Sequence, residues 1–401
     1  MLIKPSSERG GMRHRLVRLG PGNSRMAALG GAFLFAGIAN RKDLGMKIAI
    51  RMPGRAAGFI PGKFGPRALL SGAAVLTAAL AAAGCSALGG TSATGAESVT
   101  LSGSSTSNAA QIANGKAGGF QVLTLNDQRD ITFNQLLGIN NEGEIAGYFG
   151  SGNAGHPNKG YAITPPFSQG NFINDNFPHS VQTQVTGLND FGVTVGFFST
   201  QNGATPAADN NFGFWSQHGR FHKVDFPTGN NSNPPVNQLL GVNDTGWAVG
   251  FYNDSKGNAH GYAYNLNGGW FKPVTVRGAT SLTAAAVNNS STIAGFYTNA
   301  KGTVDGFVKW VNGHVVTLAA PGASATQATG INDRGEVVGM YTTGSGNNAV
   351  THGFTWWNGH FTTINYPAAS STTVNGVNDE GDIVGFYTDA AGNTDGFVGL
   401  P

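Results

Sequence analysis

The stretch Gly330-Ile331-Asn332-Asp333-Arg334-Gly335-Glu336-Val337-Val338-Gly339-Met340-Tyr341-Thr342 decides the fold, because the chain writes it six times. Its common form is G-[ILV]-N-[ND]-x-G-x-[IV]-[AV]-G-[FY]-[FY]. The repeated Asn falls at Asn140, Asn189, Asn243, Asn288, Asn332 and Asn378, with gaps of 49, 54, 45, 44 and 46 residues. A fixed period of about 40–50 residues marks a propeller or a solenoid. The fourth copy departs from the form, with Ala286 at the first Gly and Ser291 at the second.

Two weaker phrases share the period. A Gly-aromatic step follows each copy, at Gly160-Tyr161, Gly213-Phe214, Gly261-Tyr262, Gly306-Phe307, Gly353-Phe354 and Gly396-Phe397. A tight Gly turn then opens an alternating apolar run, as in Asn358-Gly359-His360-Phe361-Thr362-Thr363-Ile364. In N-[ND]-x-G the Asn or Asp bonds nearby backbone and Gly accepts positive φ. Such a loop joins two antiparallel strands. Asn312-Gly313 and Asn358-Gly359 read as two-residue hairpin turns. Aromatic-Pro pairs at Phe177-Pro178, Phe226-Pro227 and Tyr366-Pro367 mark strand ends, because Pro cannot donate to a ladder.

Each period therefore predicts four antiparallel strands, and six periods predict an all-β, six-bladed β-propeller. The last period stops at Pro401 without its fourth strand, and an orphan strand, residues 119–125, precedes the first. That strand is expected to pair near Gly396–Leu400 and close the ring. An open β-solenoid is the alternative.

The G-[IV]-N-[ND]-x-G phrase resembles the HAF family of bacterial extracellular repeats over roughly residues 118–401. The resemblance implies an extracytoplasmic repeat protein. It implies no activity and carries over no catalytic residue.

Residues 1–85 hold 13 Lys+Arg and 2 Asp+Glu, and residues 86–401 hold 11 and 19, a net −8. The sequence pI of about 8.9 thus reflects the leader. An acidic repeat region repels a polyanion, so no nucleic-acid partner is expected. Residues 1–45 form a basic leader without clear pattern, upstream of an expected start at Met46 or Met52. Residues 46–84 have a basic segment, an apolar segment over 68–84, and small residues before Cys85, the layout of an export signal. Ending on Cys, it looks like a lipoprotein signal, with Cys85 acylated and Ser86 favouring the outer membrane. Cys85 is the chain's sole Cys, so no internal disulfide is possible. Residues 85–117, rich in Ser, Gly and Ala, read as a flexible tether before the repeat domain, residues 118–401.

Function in a repeat protein is expected where copies differ. The candidate rim residues at the turn tips are Glu142, Glu144, Trp247, Arg334, Glu336, Glu380 and Asp382, and the insertions 151–159 and 199–211 are further candidates. The Asn turns read as self-stabilised turns rather than calcium loops, since their spacing does not fit an EF-hand loop. His260 and His352 read as polar caps. In the paired aromatics such as Phe251-Tyr252 and Phe386-Tyr387, one ring is expected to pack between blades and the other to face out. No catalytic residue, metal site or cofactor is expected. The sequence points to a monomeric, lipid-anchored, envelope-exposed module that binds a glycan or an envelope protein. The alternatives are a polysaccharide hydrolase or lyase and a structural subunit of an envelope assembly.

Overall fold

The computed structural model describes residues 115–401. Cys85, the export signal and nearly all of the tether lie outside the described residues. Apart from three single 3-10 turns, the regular structure is strand.

The strands fall into six four-stranded antiparallel units. The first comprises β3 (Asn134–Ile139), β4 (Ile145–Phe149), β5 (Lys159–Ile163) and β6 (Phe172–Asn174). The second comprises β7 (Gln182–Leu188), β8 (Val193–Ser199), β9 (Phe212–Gln217) and β10 (Arg220–Val224). The third comprises β11 (Asn237–Val242), β12 (Trp247–Asn253), β13 (Ala259–Asn265) and β14 (Trp270–Pro273). The fourth runs from β15 (Ala279–Val287) through β16 (Ile293–Asn299) and β17 (Val304–Lys309) to β18 (Val315–Leu318). The fifth runs from β19 (Ala325–Ile331) through β20 (Val337–Thr343) and β21 (Val350–Trp357) to β22 (His360–Ile364). A single parallel bridge, Val304 to Ala325, ties the fourth unit to the fifth.

The sixth unit takes β23 (Ser371–Val377), β24 (Ile383–Thr388) and β25 (Thr394–Leu400) from the end of the chain and β2 (Phe120–Thr124) from its beginning. Gln121 pairs with Leu400 and Thr124 with Phe397, so the expected closing strand is in place. A ring closed in this way is a β-propeller and leaves no room for the open solenoid. Closure is further pinned by the Thr124 hydroxyl, which lies 2.8 Å from the hydroxyls of both Tyr366 and Tyr387. One strand was not foreseen. β1 (Gly115–Ala117) adds to the edge of β2 through a turn at Gly118-Gly119, both with positive φ. The repeat domain thus starts three residues inside the expected tether.

The repeated glycines follow from close packing. A Cβ on Gly138 of β3 would lie 2.9 Å from Gly187 Cα of β7, the equivalent position in the next unit. In each first strand a bulge sits directly before this residue, turning the strand toward its neighbour. The Gly of each second strand pairs across the ladder with the aromatic of the Gly-aromatic step, as Gly196 does with Phe214 and Gly385 with Phe397. A Cβ on Gly196 would meet the Gln184 carbonyl at 2.0 Å and the Phe214 ring at 3.0 Å. The two phrases are therefore one feature, a ring lying over a missing side chain.

Units meet face to face. The aromatic before each Pro stacks on the second strand of the next unit: Phe177 on Phe198 at 3.7 Å, Phe226 on Tyr252 at 4.4 Å and Tyr366 on Tyr387 at 3.7 Å. In two of the four aromatic pairs the expectation that one ring faces out is corrected; in the other two, Tyr252 and Tyr341 are half-buried beside buried Phe251 and Met340. Phe296 and Tyr297 are both buried, as are Phe386 and Tyr387, because each sheet has a neighbour on both faces. The Asn312-Gly313 turn also differs from its reading. Trp310 N–H bonds His314 O and Gly313 N–H bonds Trp310 O, which leaves a three-residue loop with Gly313 at positive φ. Asn358-Gly359 is the two-residue turn expected, both residues having positive φ.

Candidate functional site

The six Asn turns build one face of the molecule. In each, the Asn Oδ1 accepts backbone N–H groups of its own turn, as Asn378 does from Glu380 and Asp382. Its Nδ2 donates to the main-chain carbonyl of the next copy's Asn. Asn140 reaches Asn189 at 3.1 Å, Asn189 reaches Asn243, Asn243 reaches Asn288, Asn288 reaches Asn332, Asn332 reaches Asn378, and Asn378 returns to Asn140 at 3.4 Å. The position needs an acceptor and a donor on one side chain, which Asn supplies and Asp does not.

The next residue closes a second ring. Asn141 N–H bonds Asp190 Oδ1, and the series continues through Asp244, Asn289, Asp333 and Asp379 back to Asn141, at 2.6–2.9 Å. Only an acceptor is required here, so Asn and Asp interchange. Asn289 uses its Nδ2 to bond the carboxylates of both Asp244 and Asp333, easing their repulsion. These rings surround a cleft on the axis. Among the described residues no group of three or more His, Cys, Asp or Glu is placed to hold a metal ion.

The expected rim residues are on this face, with different degrees of freedom. Glu142, Arg334 and Glu380 are exposed at the tips. Glu144, Glu336 and Asp382 are half-buried and accept from the Nδ2 of their own turn's Asn at 3.0, 3.5 and 3.2 Å. Burial holds the Glu336 carboxyl above its usual range. These three serve the turn as well as the rim. Trp247 is half-buried and meets exposed Trp270 edge-on at 4.8 Å. His260 lies 3.0 Å from Asp254, and His352 bonds Thr343 and Asn365, as polar caps would.

The opposite face carries the two insertions, and there the structure makes a cavity between the first and second units. The first insertion contributes Asn158 and the second Asp209, while the strands contribute Tyr148, Gln182, Gln184 and Phe197. The cavity is small, about 30 Å³, room for one or two water-sized groups. Gln182 clasps the two insertions together. Its Oε1 accepts Asn158 N–H at 3.1 Å, and its Nε2 donates to Gln201 O and to Asp209 Oδ2. Asp209 also accepts Gly203 N–H at 2.6 Å, which ties down the loop it sits on. Burial raises the Asp209 carboxyl above its ordinary value. Asn158 Oδ1 and Gln184 Oε1 are buried without a partner.

A second cavity lies between the third and fourth units, lined by Tyr252, His260, Val274, Ser281 and Leu282 among others. It is roomier, but His260 is engaged by Asp254 and Ser281 Oγ by Ala259 N–H, and none of its lining residues holds a buried acceptor without a partner. The unpartnered acceptors make the first cavity the better site.

The two insertions line this cavity in part, through residues that their sequence does not single out. One signal was present. Gln recurs five residues before the repeated Asn, at Gln135, Gln184, Gln238 and Gln327. In the first unit Tyr148 donates its hydroxyl to Gln135 Oε1 at 2.7 Å; Gln184, Gln238 and Gln327 pair with Phe197, Phe251 and Met340, and those three oxygens stay unpartnered.

No family model and no curated protein matches the chain. Among solved structures it is similar to TolB from Acinetobacter baumannii, at 12% identity and TM-score 0.40 over 67% of this chain and 54% of that one. It thus spans about half the length of that protein. It is also similar to a fucose-specific lectin from Aleuria aurantia, at 12% identity and TM-score 0.41 over 67% of this chain and 93% of that one. An ulvan lyase is similar at 13% identity and TM-score 0.39, over 66% of this chain and 78% of that one.

Proposed function

We propose that the chain is a six-bladed, non-catalytic binding module for a glycan, of the HAF extracellular-repeat type, held at the cell envelope by an acylated Cys85. The observation that carries the glycan reading is the cavity between the first two units. It presents buried oxygens without partners beside the rings of Tyr148 and Phe197. A buried acceptor left unpaired costs about 1–3 kcal/mol, which a ligand hydroxyl would recover. Apolar walls with a few convergent polar groups are the general form of a ligand site. Hydrolysis by paired carboxylates is not supported, since Asp209 is the one carboxylate lining the cavity.

The test is a polysaccharide array probed with the detergent-solubilised full chain and with a variant carrying Asn158→Leu. Specific binding that falls about tenfold or more in the variant supports the reading. Unchanged binding in the variant moves the site elsewhere, and a blank array from folded protein rejects the glycan. The anchor has its own test: Cys85→Ser should abolish palmitate labelling and release the chain from membranes.

A further inference from the structure

We infer that the cavity between the first and second units selects a ligand bearing an ammonium group, and that its glycan is an amino sugar with a free rather than acetylated nitrogen. The inference rests on the glycan reading and narrows it. Asp209 is 4% exposed and lines the cavity. Its carboxylate has two hydrogen-bond donors, Gly203 N–H and Gln182 Nε2, both uncharged. Among the described residues no ion pair reaches it, and no Lys, Arg or His lines the cavity. A buried carboxylate calls for a counter-charge, and here the protein supplies none.

Two acceptors in the lining point the same way: Asn158, 4% exposed, leaves Oδ1 and Gln184 leaves Oε1 without a partner, while their amide N–H groups can serve the oxygens of the sugar ring. The amide of Gln182 is engaged at both ends and cannot turn a donor inward. The site thus asks for a compact group that donates several hydrogen bonds and carries positive charge. An ammonium has three donors and no acceptor. The small volume of the cavity suits such a head group. Tyr148 and Phe197 add aromatic rings to the lining, which suit a nearby cation. An acetamido group would replace the charge with a neutral amide and add the bulk of an acetyl to a small cavity. A uronic acid would bring like charge.

The experiment is titration calorimetry on the full chain with three β-1,4-linked oligosaccharides of equal length: glucosamine, N-acetylglucosamine and glucose. The glucosamine form is expected to bind about tenfold or more tightly than the other two near pH 6, where the amine is charged, and to lose that advantage near pH 9. Asp209→Asn should abolish the preference. Should that variant fail to fold, Gln184→Glu adds a second carboxylate to the cavity and should strengthen it several-fold. Equal binding of all three sugars would leave the glycan reading standing and overturn the ammonium inference. A preference that survives Asp209→Asn would also overturn it, placing selection on the acidic turn face. No binding by any of them would count against both.

Discussion

At the residue scale, the repeated phrase is a set of hydrogen-bond and packing requirements. The first Asn has to donate and accept, and the second position has only to accept. Each inner-strand Gly has to let a neighbouring backbone through. The fourth copy tests this account. Ala286 occupies the inner-strand position, so one methyl is tolerated there. Ser291 occupies the turn position with φ 58°, where the other five copies have Gly at φ 70–92°. A non-Gly residue in this region costs about 1–2 kcal/mol, partly offset by the greater freedom of Gly in the unfolded chain. Ser291→Gly is therefore expected to stabilise the fold by about 1 kcal/mol, read as a higher urea midpoint at unchanged slope. A lower midpoint would mean that the Ser side chain does something the turn geometry does not reveal.

At the element scale, β2 stands apart. It is distant in sequence from β25, yet it completes the sixth sheet and covers an edge that would otherwise be bare. Thr124 also anchors the stacked Tyr366 and Tyr387. Burial pushes the Tyr387 phenol well above its usual range, in keeping with a closed, dry seam. Deleting residues 115–125 is expected to remove cooperative folding and promote association through the bare β25 edge, checked by thermal melts and light scattering. A deletion variant that stays monomeric and melts as before would show that closure adds little. Sequence made this pairing legible, since a missing last strand and an orphan first strand are both countable. The short β1 was not legible, because three residues in a Gly- and Ala-rich run carry no period.

At the scale of the whole molecule, the units are coupled through their faces, and some of that coupling is polar and buried. Asp175, after β6 of the first unit, accepts from Thr194 at 2.5 Å and Ser216 at 3.5 Å in the second. Burial raises its carboxyl above the ordinary carboxylate value. The folded state thus holds this proton more tightly than the unfolded chain. Its favourable contribution is full below the unfolded value, about pH 4, and is lost as pH rises through the higher folded value. Asp175→Asn removes the buried charge and keeps an acceptor for Thr194. The variant is expected to be more stable than the parent near pH 7, with the gap closing toward pH 4. Urea midpoints at the two pH values check this, and a gap independent of pH would refute it.

The sequence by itself determined the strands, their order within each unit, the turn residues and the need for a closing strand. These depend on local rules: alternation, positive φ at a turn, the missing donor of Pro. Only the tertiary structure decided that the Asn side chains link neighbouring units into closed rings, that Glu144, Glu336 and Asp382 are half-spent on those turns, and that Asn158 and Asp209 share a cavity. The rings and the cavity join residues tens or hundreds of positions apart, through distances set by how the sheets pack around the axis, while the carboxylate contacts span four residues and turn on side-chain direction. A repeat announces its own geometry because every copy reports it, whereas a site made where two unlike insertions meet is written once and is seen only when the ring is assembled.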